Sequence, residues 1–105
     1  MQSEKRRHSR FSVRLRVELE RGGEKLSGHT HDLSLGGMFV ESWQTFAVGE
    51  KVTATVSLPA LDAPSKIDCT VRWVIHGGMG LSFGDLGAAD TWAINQLAAQ
   101  QPPPR

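Results

Sequence analysis

The chain has 105 residues, with 12 lysines and arginines against 11 aspartates and glutamates, a formal net charge of +1. This length allows one hydrophobic core, and the near balance of charge argues against a general polyanion binder. No apolar run approaches the roughly 18 residues that cross a membrane, the N-terminus lacks the apolar segment of a secretory signal, and a lone Cys69 cannot form an internal disulfide, so we expect a cytoplasmic protein.

The first ten residues are predicted to form a flexible basic arm. Six of the twelve positive charges fall within the first sixteen residues, with only Glu4 opposing them. Such a cluster indicates an anionic partner held at one end of the domain, although a solvated tail has the same composition. The residues concerned are Lys5, Arg6, Arg7, Arg10, Arg14 and Arg16.

A β-hairpin is predicted to follow the arm. Apolar and charged residues alternate with a period of two from Val13, and Gly22-Gly23 provides a tight turn. If the turn is centred on these glycines, the numbers of paired residues sum to about 45. Val13 would then lie opposite Asp32 and Phe11 opposite Ser34. The arm would therefore leave the sheet beside the segment 32–37, Asp-Leu-Ser-Leu-Gly-Gly.

Four more strands and a helix are predicted in the rest of the chain. The strands lie near Met38–Val40, Val52–Leu58, Ile67–Ile75 and Met79–Phe83, and the helix runs from Ala88 to Gln101. Short connections between six strands indicate an antiparallel meander or small barrel, so residues 11–101 form one domain. The prolines of 102–105 end the helix and leave a short tail.

The chemistry of the arm and the segment 32–37 fits a guanine nucleotide. A guanidinium group, as in Arg6 or Arg10, binds phosphate through two parallel hydrogen bonds, and it also matches the O6/N7 edge of guanine. The carboxylate of Asp32 can accept hydrogen bonds from guanine N–H groups, and the hydroxyl of Ser34 can bond a base or a phosphate. Gly36 and Gly37 permit positive φ and close approach to the backbone. The same segment also fits an Asx-turn that binds nothing.

These residues resemble the paired signature of a known family. Arg6-x-x-x-Arg10 followed by Asp32-x-Ser34-x-x-Gly37 resembles that of PilZ domains. Val71-Arg72-Trp73 and Gly80-Leu81-Ser82-Phe83 are similar to the later strands of the family, so the resemblance extends from about Lys5 to the C-terminal helix.

The resemblance implies an all-β fold with a C-terminal helix, a six-stranded antiparallel barrel of the PilZ type that binds cyclic di-GMP. Arg6 and Arg10 would hold phosphates and guanine faces, and Asp32 and Ser34 would read a guanine edge. Gly37, after Gly36, would shape the turn. Arg7 would assist, with Lys5 and Trp73 as additional candidates. Lys5 stands where many relatives have arginine, which leaves open whether one or two ligand molecules bind, and Arg10/Arg14 has the same spacing as Arg6/Arg10.

Other sites are predicted to be absent. His29 and His31 share a strand face, as a metal pair would, but arginines lie opposite them and no third ligand is evident. Ser34, His31 and Asp32 lack the geometry of a catalytic relay. Cys69 and Trp73 are predicted to pack in the core. Trp43 and Phe46 are predicted to close the barrel, with exposure to a partner protein as the alternative.

The sequence therefore predicts a bacterial, cytoplasmic receptor in second-messenger signalling, with no enzymatic activity and no cofactor apart from its ligand, cyclic di-GMP. The ligand would order the arm against the barrel and so signal to a downstream protein partner. One alternative is an adaptor of the same fold that needs no nucleotide. A weaker one is a nucleic-acid binder, although we expect no DNA or RNA partner.

Overall fold

The computed structural model describes residues 9–101. Lys5, Arg6, Arg7 and the segment 102–105 lie outside the described residues. Seven strands and one helix follow in chain order: β1 (Phe11–Ser12), β2 (Arg16–Arg21), β3 (Glu24–Leu33), β4 (Gly37–Glu41), β5 (Lys51–Val56), β6 (Ser65–Ile75), β7 (Gly78–Phe83) and α1 (Ala88–Ala99). No helix in this part of the chain is long and apolar enough to cross a membrane.

Six of the strands close into an antiparallel barrel. Their order around the barrel is β2, β3, β4, β7, β6 and β5, and β5 pairs with β2 to complete the ring. The short β1 adds to β3 beyond the end of β2. The predicted six-stranded antiparallel barrel with a C-terminal helix is therefore confirmed.

The first predicted strand is broken at residues 13–15. The predicted register holds in β2, where Arg16 pairs with His29, but the pairing in β1 is displaced by one residue. Ser12 lies opposite Asp32 and Phe11 opposite Leu33, so the predicted pairs of Val13 with Asp32 and of Phe11 with Ser34 were wrong.

The buried side chain of Thr30 accounts for this break. Its hydroxyl accepts a hydrogen bond from the Leu15 N–H at 2.8 Å and donates one to the Val13 carbonyl, while the Thr30 N–H donates to the Leu15 carbonyl. These bonds satisfy backbone groups that would otherwise pair between strands. Arg14 therefore lies in the break, and the prediction of one regular strand running from Val13 was wrong at this residue.

The core fills the barrel and extends beneath the helix. It consists of the inward-facing residues of all six barrel strands together with Phe46, Leu58 and three helix residues, Ala93, Ile94 and Leu97. The Ser65 hydroxyl donates a hydrogen bond to Asp90, which ties the start of β6 to the first helical turn. The helix therefore closes the barrel by burying apolar surface.

A bulge in β6 overturns one core prediction. Val71 pairs with Leu81 of β7, but the next pair is Trp73 with Gly80, so Arg72 is the extra residue. An extra residue reverses the inward and outward alternation of a strand. Trp73 is consequently 44% exposed on the outer face and does not pack in the core.

Candidate functional site

Arg10 and Asp32 form an ion pair where β1 meets β3. Because Ser12 pairs with Asp32, the chain leading into β1 passes beside that carboxylate. The Arg10 Nη1 contacts the Asp32 Oδ1, and the side chain of Asp32 is 22% exposed. An exposed ion pair contributes only about 0–1 kcal/mol, so a ligand can replace either partner at little cost.

His31 contributes a second group at Asp32. Its Nδ1 lies 3.4 Å from the other carboxylate oxygen, Oδ2. Neighbouring residues normally point to opposite faces of a strand, but the ladder between β3 and β4 is irregular between Thr30 and Asp32. This irregularity allows the side chains of His31 and Asp32 to approach each other.

The hydroxyl of Ser34 organises the turn between β3 and β4. Ser34 is only 4% exposed. Its Oγ accepts a hydrogen bond from the Gly36 N–H at 3.0 Å and lies 3.4 Å from the Gly37 carbonyl oxygen, to which the Ser34 N–H donates at 2.9 Å. Ser34 thus lies at the predicted place, but its polar groups are engaged within the turn. Its role as a ligand group stays a prediction.

Gly37 is required for close packing and not for an unusual backbone conformation. Neither Gly36 nor Gly37 is among the glycines with positive φ, so the predicted use of that conformation was wrong. A Cβ at Gly37 would overlap the Leu81 carbonyl oxygen of β7. The Gly36 carbonyl also accepts a hydrogen bond from the Phe83 N–H at 2.9 Å. The turn is therefore held against the end of β7.

A row of three aromatic rings lies on the outer face and begins beside Asp32. Phe39 of β4 pairs with Asp32, and its ring stacks on Trp73 with centroids 5.1 Å apart and planes 14° apart. The rings of His31 and Phe39 meet in a T-shaped arrangement, with centroids 6.1 Å apart. We call His31, Phe39 and Trp73 the aromatic cluster. It gives Asp32 a flat neighbouring surface on which a nucleobase can stack.

Two glycines of β7 make room for the aromatic cluster. A Cβ at Gly80 would overlap the Trp73 indole, and one at Gly78 would overlap the Phe39 ring. The rings can therefore lie against the backbone of β7. Sequence reasoning placed Trp73 among the additional candidates but missed Phe39 and His31. The available signal was the pair of glycines at alternate positions, Gly78 and Gly80, in a strand next to aromatic residues.

Arg14 points to a different carboxylate. Its Nη1 lies 3.4 Å from the Glu41 Oε1 on β4. The structure thus brings Arg10 together with Asp32, the turn and the aromatic cluster, and it directs Arg14 elsewhere. We refer to Arg10, Asp32 and the turn 34–37 as the turn site. The predicted contributions of Lys5, Arg6 and Arg7 fall outside the described residues.

Metal binding and thiol chemistry receive no support within residues 9–101. No group of three potential metal ligands occurs there. Cys69 is buried on β6, and burial, assisted by the nearby negative charge of Asp68, raises the pKa of its thiol to about 12. The thiol therefore stays protonated at neutral pH and is a poor nucleophile.

Comparison with known protein families gives a match over almost the whole chain. The model of the PilZ domain matches residues 4–100. None of the curated proteins matches.

Several solved structures have a similar fold. One is Bacillus subtilis inhibitor of motility, MotI/DgrA, with a TM-score of 0.73 and 21% identity over 91% of this chain and 53% of that one. The chain thus spans about half the length of that protein. The PilZ domain of YcgR from Escherichia coli, solved with cyclic di-GMP, gives a TM-score of 0.70 and 16% identity over 89% and 88% of the two chains. The K. pneumonia MrkH complex with cyclic di-GMP has a TM-score of 0.69 and 20% identity, over 90% of this chain and 51% of that one.

Proposed function

The chain belongs to the PilZ family, and from this premise we propose that it is a non-enzymatic receptor that binds cyclic di-GMP and transmits binding to a protein partner. The observation that carries the proposal is the contact of Arg10 with Asp32 beside the turn and the aromatic cluster. The two residues are 22 positions apart in the sequence and lie across from each other at the open end of the hairpin. Their meeting supplies an anion-binding group and a guanine-binding group in one place.

Asp32 exchanges its partner in this mechanism. Before binding, its carboxylate is paired with the Arg10 guanidinium. A guanine base offers the carboxylate two N–H donors, which leaves Arg10 free for a phosphate or a guanine face. Asp32 has hydrogen-bond donors before and after the exchange, so the ligand does not leave the carboxylate without a partner.

The arm supplies further positive charge for the two phosphates. Arg6 lies one Arg-x-x-x-Arg spacing before Arg10, and Lys5 and Arg7 flank it. In this proposal they close over the ligand after Arg10 has turned to a phosphate. Ordering of the arm and binding are then one event, which couples ligand concentration to the surface that a partner meets.

The aromatic cluster supports a guanine held by Asp32. Trp73 is half-exposed and fixed by stacking on Phe39, so its ring loses little freedom when a base stacks on it. Ser34 acts mainly by shaping the turn, since its hydroxyl is already bonded to the Gly36 N–H.

The proposal is tested by titrating isotope-labelled protein with cyclic di-GMP and following the amide and indole signals. We expect the largest shifts at Asp32, Gly36 and the Trp73 indole N–H, with small shifts at the helix residue Trp92 as an internal control. Saturable shifts confined to other parts of the barrel, or none at all, would contradict the proposed site.

The second candidate is an adaptor that binds its partner without nucleotide. It is favoured by one observation: the buried Ser34 hydroxyl is engaged within its own turn. Capture of the same partner with and without cyclic di-GMP separates the two candidates. A capture that cyclic di-GMP does not change would favour the adaptor.

A further inference from the structure

A groove of about 570 Å3 crosses the outer face of the barrel at the His29 end of the β3–β4 pairing. It is separate from the turn site, since neither Arg10 nor Asp32 lines it. Its lining includes two arginines, two histidines, one carboxylate and one indole: Arg14, Arg16, His29, His76, Glu41 and Trp43. We call this surface the basic groove.

The charges of the basic groove are out of balance. Arg14 lies 3.4 Å from Glu41, so the one carboxylate of the lining is engaged. Arg16 pairs across the strands with His29, not with a carboxylate, and forms no ion pair within residues 9–101. Glu18, two residues along β2 and exposed on the same face, forms no ion pair with Arg16 within the described residues. The groove therefore has positive charge available for an external anion.

Trp43 provides an apolar contact at the same place. The residue is 98% exposed, in contrast to Phe46 nearby, so the prediction that both close the barrel was wrong for Trp43. A tryptophan side chain offers roughly 150–250 Å2 for burial. Tryptophan and arginine are the residue types that most often dominate protein interfaces.

The segment carrying Trp43 is attached to the barrel at its base. The Ser42 N–H donates a hydrogen bond to the Gly77 carbonyl at 3.0 Å, and the Ser42 hydroxyl donates one to the Ser27 carbonyl at 3.2 Å. These bonds connect it to the turn between β6 and β7 and to β3. The backbone next to the indole is therefore preorganised, which lowers the entropy cost of binding.

We propose that the basic groove docks an acidic segment of a protein partner, with carboxylates at Arg16 and an apolar side chain against Trp43. This surface would bind the partner of the proposed function, on which the inference rests. The groove has a basal affinity for an acidic segment without cyclic di-GMP, and the nucleotide changes that affinity. Charge complementarity selects an acidic occupant. A peptide fits better than a nucleic acid, because one indole and one short groove do not form a series of stacking and phosphate sites.

The test uses a fluorescein-labelled peptide of alternating glutamate and leucine, added to the full chain without nucleotide and followed by anisotropy. A peptide with glutamine in place of glutamate controls for apolar contact, and oligothymidine represents nucleic acid. We expect binding of the glutamate peptide, weakened about tenfold by Arg16→Glu and about fivefold by Trp43→Ala. Both residues are exposed, so neither change should disturb folding.

Matched controls are the exposed Lys66, as Lys66→Glu, and the exposed Trp92, as Trp92→Ala. Each should alter binding by less than about twofold. Equal binding of the glutamine peptide, absence of binding by the glutamate peptide, or an equal loss in Lys66→Glu would overturn the proposal. So would oligothymidine binding that depends on Arg16 without peptide binding. Cyclic di-GMP is absent from this assay, so failure here leaves the nucleotide proposal standing.

Discussion

The turn site and the basic groove lie at two places along β3, and they differ in how their charges are paired. At the turn site, Asp32 is matched by Arg10 and backed by a turn that the buried Ser34 organises. In the basic groove, Arg16 lies beside His29 and an indole stands in solvent. The first surface can exchange one partner for a small ligand that carries both donors and negative charge. The second surface has an excess of one charge and suits an acidic macromolecule.

The break at residues 13–15 connects the two surfaces. Arg10 enters the turn site just before this break, Arg14 lies within it and Arg16 follows it. The hydroxyl of Thr30 holds the break from the inside. A movement of Arg10 on ligand binding can therefore be transmitted to Arg14 and Arg16 through the few residues between them. If the two surfaces have separate roles, a substitution in one should leave binding at the other unchanged.

The largest effect is expected from Asp32→Ala. Loss of a charged hydrogen-bond partner costs about 1.5–3 kcal/mol, so cyclic di-GMP affinity should fall about ten- to a hundredfold in calorimetric titrations. Binding of the glutamate peptide to the basic groove should be unchanged. The matched control is Asp62→Ala, an exposed aspartate in the loop between β5 and β6. A loss of peptide binding in Asp32→Ala would mean that the turn site and the basic groove do not have separate roles.

Thr30→Val should destabilise the link between the surfaces. The substitution keeps the shape of the buried side chain but leaves the Leu15 N–H without its acceptor, at a cost of about 1–3 kcal/mol. Urea unfolding measures this cost, and Thr30→Ser, which keeps the hydroxyl, should recover most of it. Wild-type stability in Thr30→Val would mean that the Thr30 hydroxyl does not hold the break.

Trp73→Ala tests the aromatic cluster as part of the turn site. A stacked aromatic contact contributes about 0.5–1.5 kcal/mol, so nucleotide affinity should fall about two- to tenfold. The fold should be little affected, because the indole lies on the outer face. Trp92→Ala on the helix is the control and should leave nucleotide affinity unchanged. Equal effects of the two changes would remove Trp73 from the site.

The smallest effect is expected from Arg14→Ala. Its exposed contact with Glu41 contributes at most about 1 kcal/mol, and stability should change little. Nucleotide affinity should fall by less than about threefold. Arg10→Ala should lower the affinity more, because it removes a charged hydrogen-bond partner of the ligand. An equal loss from both changes would favour Arg10/Arg14 as the functional arginine pair.

Alternation in the sequence predicted the strands because each strand buries one face, and it also predicted that the arm would leave the sheet beside the segment 32–37. It failed where a strand gains an extra or unpaired residue. The bulge at Arg72 reversed the direction of Trp73, and the break at 13–15 displaced the register by one residue. Both irregularities occur in the pairing between strands, and the break is held by the hydrogen bonds of Thr30. The periodicity of a single strand contains no information on such contacts.

The aromatic cluster was missed for a related reason, although Gly78 and Gly80 gave a signal for it. Phe39 and Trp73 belong to β4 and β6, and they meet only because β7 lies between those strands and presents Gly78 and Gly80. The order of strands around the barrel had to be known first. The PilZ signature, in contrast, is read along the chain and required no such knowledge.

The most direct test of the central claim is calorimetric titration of the full chain with cyclic di-GMP at physiological salt, with Arg10→Ala measured in parallel. We predict saturable binding by the wild-type chain and about a ten- to hundredfold weaker affinity for Arg10→Ala. The saturation point also gives the number of ligand molecules held. Two results would contradict the account. One is the absence of both heat and any spectroscopic change when a high concentration of nucleotide is added, and the other is equal affinity of the wild-type and Arg10→Ala proteins.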